Sequence, residues 1–236
     1  MSDDLPQKKS ASRDIEAILH KVAATPAKRA PGVRGRLMFA MDATASRQPT
    51  WDTAAHLQSE MFTATAEMGG LDIQLAFFRG FGEFRVSRWT DDAKELQRLM
   101  SSVSCLAGHT QISKVLQHAV NAAKKERLNA LVYVGDCIEE DVDKLGAIAG
   151  ELGLLGAPAF MFHEGGDPVA RFAFEQIAKL SGGACVSLDR DSADVLRDLL
   201  SAVAVYAAGG RAALEDKARR DGGAVLQITQ QMKCGN

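Results

Sequence analysis

The sequence predicts an α/β fold with a doubly wound, mostly parallel six-stranded sheet flanked by helices. Three observations lead to this prediction. Short apolar runs alternate with segments of helical spacing, which is typical of parallel strands covered by helices on both faces. The apolar fraction is 46% and the charged fraction 25%, as in an average globular protein. The length of 236 residues allows one well-packed domain with short extensions.

The first 32 residues are predicted to lie outside the domain. Residues 1–11 are polar and are expected to be disordered, whereas Arg13–Ala24 has the apolar spacing of a short amphipathic helix. A linker rich in proline, glycine and basic residues completes this N-terminal region. We therefore place the domain at residues 33–208 and a C-terminal extension at residues 209–236.

Six strands are predicted from short, mostly apolar sequences bounded by turn residues. The third strand alternates polar and apolar residues and follows the second after a short glycine-containing turn, which predicts an antiparallel strand at the edge of the sheet. The expected strand order is 3-2-1-4-5-6. The predicted strands are Arg36–Met41, Leu71–Phe78, Glu83–Trp89, Ala130–Val134, Ala157–Phe162 and Ala184–Leu188.

Helices are predicted between these strands from their apolar spacing and their boundary residues. One of them opens at Asp167-Pro168, a capping residue followed by a proline, and closes at Gly182-Gly183. In the extension, Arg211–Arg219 has helical spacing and Ala224–Thr229 is predicted as one more short strand. The other predicted helices are Trp51–Glu67, Asp91–Met100, Gln111–Arg127, Glu140–Leu154 and Ser192–Ala208.

Five oxygen-bearing side chains occur where ligands bind in open α/β sheets, at the carboxyl ends of the strands. Asp42, Thr44 and Ser46 follow the first strand at alternate positions, Asp136 follows the fourth, and Thr110 precedes a helix. Because the first and fourth strands are neighbours in the expected order, these groups are predicted to converge. Two carboxylates and three hydroxyls suit a hard divalent cation, with Mg²⁺ first and Mn²⁺ or Ca²⁺ as alternatives.

This pattern resembles the metal-ion-dependent adhesion site of von Willebrand factor A (VWA) domains, which is written Asp-x-Ser-x-Ser, then Thr, then Asp. The resemblance covers about residues 35–208 and implies a Rossmann-like fold. It also implies that the hydroxyls of Thr44, Ser46 and Thr110 touch the metal, while Asp42 and Asp136 act largely through bound water. An acidic side chain of a partner protein would complete the coordination shell.

The sequence departs from the family pattern at two positions. Thr44 replaces the first serine, which keeps the hydroxyl and adds a methyl group. Cys137 follows Asp136 where family members commonly have glycine. Taken separately, Asp42 and Ser46 could be turn residues and Thr110 a helix cap, so the prediction depends on their combination.

The expected function is therefore metal-dependent protein binding without catalysis, within an intracellular multi-protein complex. A net charge of −2 gives no global attraction to nucleic acid or to an anionic membrane. No apolar N-terminal signal and no spanning segment are recognised, so a cytoplasmic location is expected. The four scattered cysteines contain no C-x-x-C pair, which favours a reducing compartment, and the three in or beside apolar stretches are expected to be small buried side chains.

Two alternatives use the same fold. The first is a metal-dependent hydrolase or phosphatase, for which the haloacid dehalogenase type is the nearest pattern. That type has a second aspartate two residues after the nucleophile, where this chain has Thr44. The second alternative is a metal-free scaffold with a vestigial site, which the retained set of oxygen side chains disfavours.

Residues around the predicted site have simpler interpretations. Four acidic residues after Asp136 are expected to complement the first turn of the helix that they begin. His109 beside Thr110 is interpreted as an incidental loop residue. The four acidic residues are Glu139, Glu140, Asp141 and Asp143.

Overall fold

The computed structural model describes residues 34–188 and 193–234. The segment predicted to be disordered, the predicted helix Arg13–Ala24 and the linker after it lie outside these residues. Among the residues described, none of the helices combines the length and the apolar character needed to cross a membrane.

A six-stranded sheet forms the centre of the domain. Its strands are β1 (Gly35–Asp42), β2 (Leu71–Arg79), β3 (Glu83–Thr90), β4 (Ala130–Gly135), β5 (Ala159–Glu164) and β6 (Ala184–Leu188). Their order is β3-β2-β1-β4-β5-β6, which confirms the predicted topology. All neighbouring strands are parallel except β2 and β3, so the predicted antiparallel edge is also confirmed. In the centre, Met41 of β1 lies opposite Val134 of β4.

Helices connect the strands, and several begin at an acidic cap. Asp167 accepts hydrogen bonds from the backbone amides of Val169 and Ala170, and Pro168 occupies the first turn of that helix. Short 3₁₀ turns lie at Ala45–Arg47 and Ala66–Met68. The helices are α1 (Gln48–Leu57), α2 (Ser59–Thr63), α3 (Ala93–Ser101), α4 (Ile112–Lys125), α5 (Val142–Leu154), α6 (Pro168–Ser181), α7 (Ala193–Asp221) and α8 (Gly223–Cys234).

The prediction of one continuous helix over Trp51–Glu67 is wrong. The helical region begins earlier, at Gln48, and is interrupted at Gln58 between α1 and α2. Gln58 is buried, and its side-chain amide donates to the carbonyl of Ala93 at 3.1 Å. A tertiary hydrogen bond therefore accompanies the break, which apolar spacing alone does not reveal.

The two faces of the sheet carry separate apolar layers. Side chains alternate along β1, so Leu37 and Phe39 enter one layer and Met38 and Ala40 the other. The first layer includes residues of α1, α2, α3, α7 and α8, and the second those of α4, α5 and α6. β4 is buried along its whole length, which confirms the interpretation of its apolar run as a central strand.

The C-terminal extension is helical, and the prediction of a strand at Ala224–Thr229 is wrong. Val225, Ile228 and Thr229 are buried, and their spacing places them on one face of α8. That helical period outweighs the β-branched composition of the segment. α7 continues through the predicted domain boundary after residue 208, with a kink where Gly210 has a φ of 76°.

α8 packs beside β6 at the edge of the sheet. The side-chain amide of Gln231 donates to the backbone carbonyl of Cys185, and its oxygen accepts from the Cys185 backbone amide, both at 2.7 Å. Gln231 thus pairs with Cys185 as a neighbouring strand would. Cys105, Cys137 and Cys185 are free thiols, and the first two are only half-buried, which departs from the expectation of buried cysteines.

Candidate metal centre

The two predicted aspartates meet at the carboxyl edge of the sheet. Asp42 ends β1 and Asp136 follows β4, the strand beside it. One carboxylate oxygen of each residue and the Sγ atom of Cys137 all lie within 4.8 Å of one another. The predicted convergence of Asp42 and Asp136 is therefore confirmed, and a thiol lies in the same cluster.

Asp42 is fully buried and only partly paired. Its Oδ1 atom accepts a hydrogen bond from the backbone amide of Thr44 at 2.7 Å, but Oδ2 has no hydrogen-bond partner among the described residues. Burial raises the pKa of Asp42 to about 6, and the negative charge of Asp136 adds to this effect. Hydrogen bonds from Thr44 and the charge of Arg47 act in the opposite direction.

Ser46 is joined directly to the second aspartate. Its hydroxyl donates to Asp136 Oδ2 at 2.9 Å, from the 3₁₀ turn that follows β1. Asp136 is 17% exposed, and its Oδ1 atom is buried without a partner in the described part of the chain. Among the described residues, each aspartate thus has one oxygen that accepts a hydrogen bond and one oxygen without a partner.

Thr110 is held in the loop that precedes α4. Its backbone amide donates to Glu139 Oε2 at 3.1 Å, and its hydroxyl accepts from the Glu139 backbone amide at 3.0 Å. This reciprocal pair connects Thr110 to the loop that carries Asp136. Thr110 does not cap α4 through its side chain, because the carboxylate of Glu140 accepts from the amides of Ile112 and Ser113 instead.

The expectation for the acidic run is therefore only partly correct. Asp141 caps α5, the helix that it begins, by accepting from the amides of Asp143 and Lys144. Glu139 instead accepts a hydrogen bond from the loop before α4, and Glu140 accepts one from the first turn of α4. His109 is also more than incidental, because its Nδ1 atom lies 2.8 Å from Glu139 Oε2.

A buried ion pair beside the aspartates was not predicted. Arg47 is 1% exposed, and its Nη1 atom lies 2.5 Å from Glu164 Oε2 and 4.0 Å from Asp136 Oδ2. The hydroxyl of Thr50 also donates to Glu164. Glu164 ends β5, so the same argument from strand ends that identified Asp136 could have identified it. Arg47 offers no comparable signal in the sequence.

Cys137 is the third member of the cluster. Its thiol is half-buried, and burial, followed by the charges of Asp136 and Asp42, raises its pKa to about 12. The available donors at this edge are therefore two carboxylates, several hydroxyls and one thiol. Such a set fits a divalent cation, because two of the carboxylate oxygens have no other partner within the described ranges.

Comparison with solved structures identifies the same fold in VWA domains. The SpRpn10 VWA domain aligns with a TM-score of 0.55 and 16% identity, over 73% of this chain and 95% of that one. The vWF domain of the type V pili tip protein Mfa5 from Porphyromonas gingivalis aligns with a TM-score of 0.54 and 10% identity, over 74% and 96%. The pilus adhesin SpaC from Lactobacillus rhamnosus GG aligns with a TM-score of 0.57 and 12% identity, over 76% of this chain and 30% of that one.

These likenesses establish the fold, and the resemblance noted from the sequence is confirmed at that level. The SpaC match spans less than a third of that protein, so only one part of it is similar. No protein-family profile and no curated protein sequence matches the chain. The function is therefore argued from the residues of this chain.

Proposed function

We propose that this chain is a metal-dependent protein-binding module. A divalent cation, Mg²⁺, Mn²⁺ or Ca²⁺, is bound by Asp42, Thr44, Ser46, Thr110 and Asp136, and it coordinates a carboxylate of a partner protein. The module binds its partner without catalysing a reaction, and it acts within an intracellular multi-protein assembly.

Two unpaired carboxylate oxygens carry this proposal. Asp42 Oδ2 and Asp136 Oδ1 are buried without hydrogen-bond partners among the described residues. An isolated buried carboxylate is costly, and the cost falls when a cation takes the place of water. A metal ion between the two aspartates would satisfy both oxygens at once.

The charge balance of the cluster supports the same conclusion. The guanidinium of Arg47 pairs with the carboxylates of Asp136 and Glu164, and its charge also acts on the carboxyl group of Asp42. This group thus holds three carboxyl groups and one cationic side chain, so acidic side chains outnumber basic ones. A divalent ion would offset that excess of acidic groups, and it would also accept a carboxylate from a partner.

The surface beside the cluster supplies an apolar contact for a partner. Phe81 is 83% exposed, and its ring packs edge-to-face on His109 at 5.1 Å. Leu106 is 47% exposed, and its backbone amide donates to the carbonyl of Ala43, between Asp42 and Thr44. We expect the partner to present an acidic side chain with an apolar residue close to it.

Metal titration by calorimetry tests the site. Wild-type protein should bind Mg²⁺ or Mn²⁺ at up to millimolar concentrations, and Asp42→Ala should not bind either. Glu60→Ala is the matched control, because Glu60 is an exposed acid on α2 away from the cluster. Binding by Asp42→Ala equal to that of the wild type would exclude this site, and no binding by the wild type would favour the metal-free scaffold.

Chemical crosslinking in native extract tests the binding function. Partners held through the metal should be lost both in chelator and with Asp136→Ala, and they should be retained with Glu60→Ala. If the crosslinked partners are the same with chelator and with Asp136→Ala as with the untreated wild type, the proposed mechanism is contradicted. Turnover of a generic phosphoester that depends on Asp42 would instead favour the hydrolase alternative.

A further inference from the structure

Cys137 contributes the third potential ligand atom of the cluster at the carboxyl edge of the sheet. Its Sγ atom lies within 4.8 Å of carboxylate oxygens from both Asp42 and Asp136. We infer that Cys137 binds the metal as a thiolate, so that the site prefers a thiophilic divalent cation, Zn²⁺ above all, to Mg²⁺. This inference rests on the proposed function for the existence of a metal site, and it changes the ion and its ligands.

The buried aspartate provides an independent indication that a ligand belongs at this point. Asp42 has no solvent exposure, and its Oδ2 atom has no hydrogen-bond partner among the residues described. The neighbouring unpaired atom, Asp136 Oδ1, is also buried. One carboxylate oxygen from each aspartate and the sulfur atom of Cys137 therefore meet in one place, which combines hard oxygen ligands with a soft sulfur ligand.

Two of the three hydroxyls predicted at the site, those of Ser46 and Thr110, each make a hydrogen bond to the loop after β4. Ser46 donates to Asp136 Oδ2, and Thr110 accepts from the Glu139 backbone amide. In this arrangement the Ser46 hydroxyl orients a ligating carboxylate, and it need not bind the metal itself. With Ser46 in that role, the inferred ligands of the ion are the carboxylates of Asp42 and Asp136 and the thiolate of Cys137, in place of the three hydroxyls proposed above for Mg²⁺.

Three protein ligands of this kind match a zinc site with an open position. Zn²⁺ accepts sulfur and carboxylate ligands in tetrahedral geometry, and a site with three protein ligands leaves the fourth position for an external group. Here that group is the partner carboxylate. On binding, the Cys137 S–H bond breaks, the proton passes to solvent, and the sulfur electron pair forms the bond to the metal.

Cobalt spectroscopy on the full chain tests the sulfur ligand directly. Co²⁺ substitutes for Zn²⁺ and gives a sulfur-to-metal charge-transfer band in the near ultraviolet when a thiolate is bound. The band should appear with the wild type and with Cys105→Ser, which removes another half-buried thiol. It should be missing with Cys137→Ser. A band that persists in Cys137→Ser, or one that is absent from metal-loaded wild type, overturns the inference.

Calorimetry separates this inference from the proposed function. Cys137→Ser should weaken Zn²⁺ binding by about 100-fold and change Mg²⁺ binding by less than about threefold. Equal Zn²⁺ affinities for the wild type and Cys137→Ser would show that Cys137 is not a ligand. The proposed site with oxygen ligands would then still stand. If the wild type binds none of the divalent ions tested, both proposals fail. Thermal unfolding of each variant in chelator verifies that it is folded.

Discussion

The hydroxyl of Ser46 donates to Asp136 Oδ2 at 2.9 Å, although 90 residues separate the two in the sequence. The bond joins the turn after β1 to the loop after β4, and so fixes the relative position of the two halves of the candidate site. Because Ser46 itself is exposed, its side chain belongs to the candidate site and not to the packed core.

Replacing Ser46 with alanine should weaken metal binding without unfolding the protein. The substitution removes the hydrogen bond that orients Asp136, and losses of about 10- to 100-fold in metal affinity are typical when such a bond is removed. We expect stability in chelator to change by less than about 1 kcal/mol, because the hydroxyl is at the surface. Mn²⁺ calorimetry measures the first effect and urea unfolding the second.

Ser59→Ala is the control for this prediction, because Ser59 is an exposed serine on α2. Its metal affinity should equal that of the wild type. Equal loss in the two variants would assign the effect to general destabilisation.

The titration of Asp42 predicts an unusual pH dependence for the metal-free protein. Its pKa rises from 3.8 to about 6 on folding, mainly because burial disfavours the charged form. The folded state therefore holds the proton more tightly, so the stability contributed by Asp42 is fully present below about pH 4 and is lost as the pH rises through about 6. In chelator, the free energy of unfolding of Asp42→Asn should exceed that of the wild type by about 1–3 kcal/mol near pH 7, and the two values should be nearly equal near pH 4.

Urea unfolding at the two pH values measures this difference. Excess metal near neutral pH should reverse the order, because only the wild type gains binding free energy. A metal-free Asp42→Asn protein that is less stable than the wild type at both pH values would show that ionised Asp42 is well accommodated without a metal.

Gly108→Ala should separate the two loops that border the candidate site. A Cβ atom at position 108 would lie 1.9 Å from the carbonyl oxygen of Gly80, so one backbone segment must move. We expect a loss of about 1–3 kcal/mol in stability and a weaker metal affinity, because Thr110 lies two residues away. Thermal unfolding and Mn²⁺ calorimetry measure the two effects.

Gly150→Ala is the matched substitution at a glycine with free space. Position 150 lies within α5, and no atom lies within 4 Å of an added Cβ. Alanine there should stabilise the protein by up to about 1 kcal/mol. Destabilisation by both substitutions would mean that the distance between the loops does not explain the effect at Gly108.

Arg47→Ala should be among the most destabilising single changes near the site. It leaves Glu164 buried without its cation, and removal of one partner from a buried pair costs about 3–5 kcal/mol. Arg171→Ala breaks an exposed pair with Glu175 and should cost less than about 1 kcal/mol. Urea unfolding measures the stability lost in each variant. Similar losses would show that the buried ion pair stabilises the protein no more than the exposed one.

The sheet could be predicted because its strands are apolar on both faces. β4 is buried throughout, and its sequence is a continuous apolar run that ends at glycine. The extension was predicted less well, since Ala224–Thr229 contains β-branched residues that also fit one face of a helix. Composition favoured a strand there, and packing of Val225 and Ile228 against the apolar layer decided for the helix.

The candidate site could be predicted only where it depends on strand ends. Asp42 and Asp136 follow adjacent central strands, so topology alone brings them together. Arg47 contacts Glu164 through side chains that are distant in sequence, and no periodic pattern marks such a pair. The role of Glu139 was also hidden, because its contact with Thr110 depends on the path of a loop.

The paired amide of Gln231 has a consequence for how copies of this protein meet. β6 is the last strand of the sheet, and a bare strand edge is a template on which a second chain can add its own strand. At Cys185, both backbone groups are already occupied by the same chain. Self-association by strand addition is therefore blocked at that point, where a side chain of α8 takes the place of a neighbouring strand.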